Sequence, residues 1–127
     1  MAALEPVEEL LTDGDSDIRA AAARMLGDAQ IIRARGQLTG MLKDGSSRVQ
    51  REAALALARL GTEAKASAEA LIDMLRQNDD RCAVLRHAAV FALASTGNKN
   101  ALHGSMGDKS RAVRIGVLLA LARLKDE

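Results

Sequence analysis

The sequence predicts an all-α protein, a right-handed α-solenoid of about four two-helix repeats. Three observations predict it. One pattern occurs four times: an apolar anchor at Ile18, Val49, Leu85 and Val113, a small or apolar pair at Ala22-Ala23, Ala53-Ala54, Ala89-Val90 and Val117-Leu118, and Leu at Leu26, Leu57, Leu93 and Leu121. The anchors stand 31, 36 and 28 residues apart, a period that marks stacked repeats. The composition is 48% hydrophobic but holds one Phe, one Pro and no Tyr or Trp. That content is mostly Ala and Leu, which lose little on entering a helix, whereas strands favour the β-branched and aromatic residues sparse here. Finally, an Asp precedes every anchor by five residues, at Asp13, Asp44, Asp80 and Asp108.

The repeats fall at about 4–33, 34–64, 65–98 and 99–127, forming a single domain. Each opens with a first helix whose apolar residues are spaced by three and four: Val7, Leu10 and Leu11, then Leu38, Met41 and Leu42, then Leu71, Met74 and Leu75. In the fourth repeat this pattern shrinks to Leu102 and Met106. The second helix carries the anchor, the pair and the Leu. These fall on one helical face, which should face the core in all four copies. The turns between paired helices read TDGDSD, KDGSSR, DDRCAV and GDKSRA. Asp15, Ser46 and Ser110 stand where a side-chain oxygen would cap the second helix, and Cys82 at the equivalent place should cap poorly. Gly27, Gly61 and Gly97 are expected at or just past the ends of second helices, where a left-handed residue is tolerated. Gly36 and Gly40 should weaken the first helix of repeat two. Extra residues around Gln77-Asn78-Asp79 predict a longer loop in repeat three.

The formal net charge of +1 argues against a dedicated nucleic-acid binder, which normally carries a basic excess. The local run of Arg and Lys in the first half reads as solvated helix faces. No apolar run approaches a membrane span. The N-terminal MAALEPVEELL is acidic and lacks the basic start and apolar core of a secretory signal. A single cysteine, Cys82, leaves no internal disulfide framework, so the default expectation is a reducing, cytoplasmic compartment.

The anchor followed by Arg, the Ala pair and Leu, with the upstream Asp, resembles HEAT repeats. The short period, and the stretch LGTEAKASAEALIDML at 60–75, are most similar to the HEAT-like repeats of phycocyanobilin lyase subunits. The resemblance covers nearly the whole chain. It implies an Asp–Arg ladder along the stack, formed by Asp13, Asp44, Asp80 and Asp108 with Arg19, Arg86 and Arg114. Gln50 stands where the Arg of repeat two would be, so the ladder is expected to be broken or neutral there. A carboxylate ahead of a helix start also favours the helix dipole, so these charges read as structural.

The catalytic inventory is thin. His87 and His103 are the only histidines, and Cys82 and His87 lie on different helical faces. No H-E-x-x-H, CxxC, phosphate loop or G-x-S-x-G occurs. No catalytic residue, cofactor or metal is expected. The exposed stripe of the second helices is more informative, because in solenoids these helices line the concave surface. Leu55, Phe91 and Leu119 should form an apolar row there, accompanied by Arg24, Arg51, His87, Arg59 and Arg123. An apolar patch with a polar rim suits a protein or peptide. The last helix is apolar on more than one face, unlike a polar terminal repeat. Either the array continues in a longer protein, the favoured reading, or this end packs on a partner or a second copy.

The expected function is therefore a non-enzymatic interaction or scaffold module. The alternative is an accessory subunit or domain of an enzyme: bilin-lyase-like, a HEAT-like glycosylase of alkylated DNA bases, or a repeat segment of a multidomain bacterial dehydrogenase or cytochrome. The scarcity of aromatic residues speaks against the first of these and the near-neutral charge against the second.

Overall fold

The computed structural model describes residues 5–125, so the outer limits expected for the first and last repeats lie outside the described residues. Each repeat opens with a first helix: α1 (Glu5–Glu9), α3 (Arg35–Gly40), α5 (Ala68–Asn78) and α7 (Lys99–Gly104). Each closes with a longer second helix: α2 (Ser16–Asp28), α4 (Ser47–Leu60), α6 (Ala83–Thr96) and α8 (Arg111–Lys125). Short 3-10 turns extend the first helices at Leu10–Thr12 and Met41–Lys43 and precede them at Ile32–Ala34 and Gly61–Ser67. The glycines at Gly36 and Gly40 leave α3 only six residues of α-helix, in line with the cost of Gly inside a helix. No strand occurs among the described residues.

The second helices pack side by side, α2 on α4, α4 on α6 and α6 on α8, and this row is the main contact of the stack. Leu26, Leu57 and Leu93 are fully buried along it, joined by Leu38, Leu71, Leu75 and Leu102 from the first helices. Small residues set the spacing between turns. A Cβ built on Gly27 would lie 2.6 Å from both Cα and Cβ of Ala56, so α2 and α4 approach at backbone distance. Gly116 of α8 likewise leaves room for the Leu75 side chain, whose Cδ1 would lie 2.5 Å from an added Cβ.

Several local expectations need correction. The anchor face is not uniformly buried: Ile18 is 39% exposed, because no described helix stacks against that side of α2. At the opposite end Leu118 is 52% exposed, although its counterparts Ala23, Ala54 and Val90 are buried. Gly27 lies within α2 and is a contact residue; the left-handed residue of that turn is Gln30, at φ 54°. Gly61 and Gly97 do adopt positive φ, 60° and 70°. In repeat three, Gln77 and Asn78 lengthen α5 instead of the loop.

Asp15 accepts from Asp17 N–H at 2.8 Å, Ser46 from Val49 N–H at 3.4 Å and Ser110 from Val113 N–H at 3.2 Å. Cys82 makes no side-chain cap. The buried Asn78 holds this turn instead, donating to the Cys82 carbonyl at 3.0 Å and accepting its N–H at 3.2 Å. The preceding Asp79 and Asp80 are both left-handed, at φ 48° and 58°.

Candidate functional site on the second-helix face

The repeated charges form one complete step between repeats. Arg19 of α2 meets Asp44 of the next repeat with Nε on Oδ2 and Nη2 on Oδ1, each at 3.0 Å, while its Nη1 donates to the Asp13 carbonyl at 2.8 Å. Asp44 Oδ1 also accepts the Ser46 N–H at 2.9 Å. At the next step Gln50 donates to the Leu42 carbonyl at 3.0 Å and reaches no carboxylate. Asp80 is left with Arg86 of its own repeat at 3.7 Å, and its Oδ1 is buried without a hydrogen bond. Asp108 pairs with Arg76 of α5 at 2.6 Å rather than with Arg86. Arg114 donates to the Asp108 carbonyl at 2.8 Å.

The Arg19 hydrogen bonds hold the Asp44 carboxyl below its usual range, helped by the Ser46 N–H and opposed by burial. Asp108 is lowered by Arg76 first and then by the Ser110 N–H. A carboxyl whose pKa is depressed in the folded state contributes stability above its unfolded value, about 3.9, and loses it as pH falls through the depressed value. Melting temperature should therefore drop below about pH 4, and Asp44→Asn should flatten that acid limb while lowering stability at pH 7. If wild type and Asp44→Asn melted in parallel from pH 7 to 3, the Arg19–Asp44 pair would contribute nothing to folding.

The residues singled out on the exposed stripe divide into three groups. Arg51, Leu55, His87 and Phe91 line one hollow of about 410 Å³ between α4 and α6, together with Ala83, Val84 and Ala88. Leu55 is half-buried against the core, whereas Phe91 is 37% exposed. Its ring stacks on His87, one helical turn earlier, with centroids 6.3 Å apart and planes 15° apart. Arg123 of α8 lies over the Phe91 ring at 5.4 Å from its centroid, within cation–π range. Arg24 and Arg59 form a second group outside the hollow, both directed at Asp28, at 3.9 and 2.9 Å. Leu119 is exposed but does not line the hollow.

The rim charges are unequal. Arg51 is matched by Glu52 at 2.8 Å, and that carboxylate is itself buried. Arg123 has no ion pair within 4 Å among the described residues, so its charge remains available. Sequence reasoning missed Val84, which is 56% exposed at the mouth of the hollow. The signal was present: the residue before the anchor is Asp17, Arg48 and Ala112 in the other copies. Among the described residues no group of His, Cys, Asp and Glu is arranged to hold a metal ion, and no helix is long and apolar enough to cross a membrane.

Stacked helix pairs, a continuous row of second helices and a shallow apolar hollow on that row define an α-solenoid of armadillo-like or HEAT-like architecture. A family model of HEAT repeats matches residues 4–94, and the chain belongs to the HEAT-repeat family. No curated protein matches it. Among solved structures it is similar to an engineered protein from a structural genomics consortium, at 24% identity and TM-score 0.64 over 98% of this chain and 63% of that one. It is also similar to a designed armadillo repeat protein in complex with the peptide (KR)4, at 20% identity and TM-score 0.67, over 97% of this chain and 64% of that one. A second engineered protein matches at 23% identity and TM-score 0.62, over 98% of this chain and 38% of its own length. The chain thus spans less than two thirds of each of these structures, and the likeness speaks to fold.

Proposed function

We propose that this chain is a non-enzymatic interaction module that takes a protein segment on the α4–α6–α8 face, with Phe91 at the centre of the contact. The observation that carries this reading is the half-exposed Phe91, set in a hollow with Leu55, Val84 and Ala88 and flanked by His87 and Arg123. An aromatic anchor with an apolar floor and a charged rim is the usual composition of an interface centre. The unpaired Arg123 and the neighbouring His87 favour an acidic residue beside the partner's apolar one. The designed armadillo protein in complex with (KR)4 gives an instructive contrast, since here the rim is cationic and the segment it suits is of opposite sign.

Panning a peptide display library against the wild-type protein, with Phe91→Ala as the counter-selection, tests this. Enriched peptides should combine a large apolar side chain with Asp or Glu within a few positions, and should bind Phe91→Ala at least about tenfold more weakly, a loss typical of a buried aromatic anchor. Phe91→Ala should lower the melting temperature only modestly, because Phe91 is 37% exposed and lies outside the core cluster. Enrichment of peptides indifferent to Phe91, or a large fall in melting temperature on its removal, would sink the reading.

A further inference from the structure

The first and last repeats carry complementary halves of the contacts made inside the stack. At the first repeat, Asp13 holds the conformation of Asp44: φ −60° and ψ 148° against −59° and 147°. Its Oδ1 accepts the Asp15 N–H at 2.8 Å, as Asp44 Oδ1 accepts that of Ser46. Asp44 in addition receives Arg19 from the preceding repeat; Asp13 has no ion pair within 4 Å among the described residues. At the last repeat, Arg114 donates Nη1 to the Asp108 carbonyl at 2.8 Å, as Arg19 donates to that of Asp13. Arg114 likewise forms no ion pair within 4 Å among the described residues.

The apolar faces match in the same sense. Inside the stack, the helix position of Gly27 meets that of Ala56 one repeat on. The corresponding positions at the two ends are Ala122 on α8 and Met25 on α2, and both are exposed. Beside them stand Leu118 at 52% and Ile18 at 39% exposure. Ala122 and Met25 are bulkier than the Gly27–Ala56 pair, so this seam is wider than the close approach of α2 and α4, and the flexible thioether of Met25 suits such a seam. Charge agrees as well. The first repeat presents Glu9, Asp13 and Asp15, whereas Asp17 is turned to Arg48 of repeat two, and the last presents Lys99, Lys109, Arg111 and Lys125.

We infer that this chain associates head to tail with a second copy, the last repeat of one molecule stacking on the first repeat of the next through Leu118 against Ile18 and Met25, with Arg114 pairing to Asp13. Such a contact is heterologous, so it extends rather than closing into a two-fold dimer. It is independent of the peptide face.

Sedimentation of the 127-residue protein over a concentration series is the test. The apparent mass of wild type should rise above that of the 13.4 kDa chain. Asp13→Arg alone and Arg114→Asp alone should each weaken association by roughly tenfold or more, because like charges then face one another across the contact. An equimolar mixture of the two variants should regain it, since each contact then joins opposite charges. Circular dichroism melting of each variant checks that it folds, and Leu118→Glu, at an exposed position, should also abolish association. A wild type that stays monomeric up to millimolar concentration would overturn the inference and leave these faces to repeats of a longer chain. Association abolished by Leu118→Glu but indifferent to Asp13→Arg would overturn it in favour of a tail-to-tail dimer.

Discussion

Truncating Leu57 to Ala is expected to destabilise the protein by about 2–5 kcal/mol, the range for removing a buried Leu side chain. Leu57 is fully buried on α4, and α4 is packed between α2 and α6. A cavity opened there is enclosed by helices on two sides. α6 cannot collapse into it without disturbing its own contact with α8, so the loss should lie in the upper part of that range. For a domain of this size, that corresponds to a melting temperature lower by roughly 6 °C or more. Leu121 is the equivalent residue of α8 and is only half-buried. Leu121→Ala should therefore cost clearly less. Thermal melts of the two variants decide the matter, and equal losses would mean that the repeat register is wrong.

Gly27→Ala should also destabilise, by about 1–3 kcal/mol, against the ordinary direction of such a change. Ala is favoured over Gly inside a helix by about 1 kcal/mol, and Gly27 lies inside α2. The added methyl would, however, sit 2.6 Å from the Ala56 backbone. No flexible side chain is there to give way, so the two helices must separate and every small contact along the α2–α4 seam loosens. Gly36→Ala provides the control. Nothing lies within 4 Å of a Cβ at that position, and this substitution in α3 should be neutral or stabilising by up to about 1 kcal/mol. Urea unfolding of both variants should give opposite signs; a stabilised Gly27→Ala would remove the close approach of α2 and α4 from the account.

These predictions rest on features that the sequence shows to very different degrees. The stack itself was legible, because four copies of one pattern report the same packing environment. Repetition also misleads at the ends. Ile18 has the spacing of a core residue, yet burial depends on a neighbouring repeat that a local pattern does not contain. Gly27 read as a helix end because Gly61 and Gly97 are helix ends. A glycine needed for close approach and one needed for positive φ look alike until the opposing helix is in place. The charged residues were legible in type but not in pairing. Arg19 reaches Asp44, but Asp108 is taken by Arg76 from α5, a residue outside the repeated motif. Asn78 falls in a stretch whose sequence suggests a loop, although it ends α5 and ties the turn at Cys82.

The candidate site was legible in part for a similar reason. Arg51, Leu55, His87 and Phe91 share a stripe that helical periodicity exposes, and the hollow gathers them. Periodicity along single helices does not say which stripe residues meet. Leu119 continues the pattern but stands apart from the hollow, while Arg123, nearly three turns beyond the α8 anchor, closes over the Phe91 ring. Arg24 and Arg59 share the Asp28 carboxylate, which the stripe alone does not reveal. The buried Glu52 beside Arg51 likewise changes which rim cation remains available.

Amide chemical-shift mapping of the labelled protein with a peptide selected on the wild type is the decisive test of binding on the α4–α6–α8 face. Saturable shifts are expected, centred on Leu55, Val84, His87 and Phe91, extending to Arg123 on α8, and absent in Phe91→Ala. Shifts centred instead on the first helices, or unchanged by loss of the Phe91 ring, would contradict this expectation.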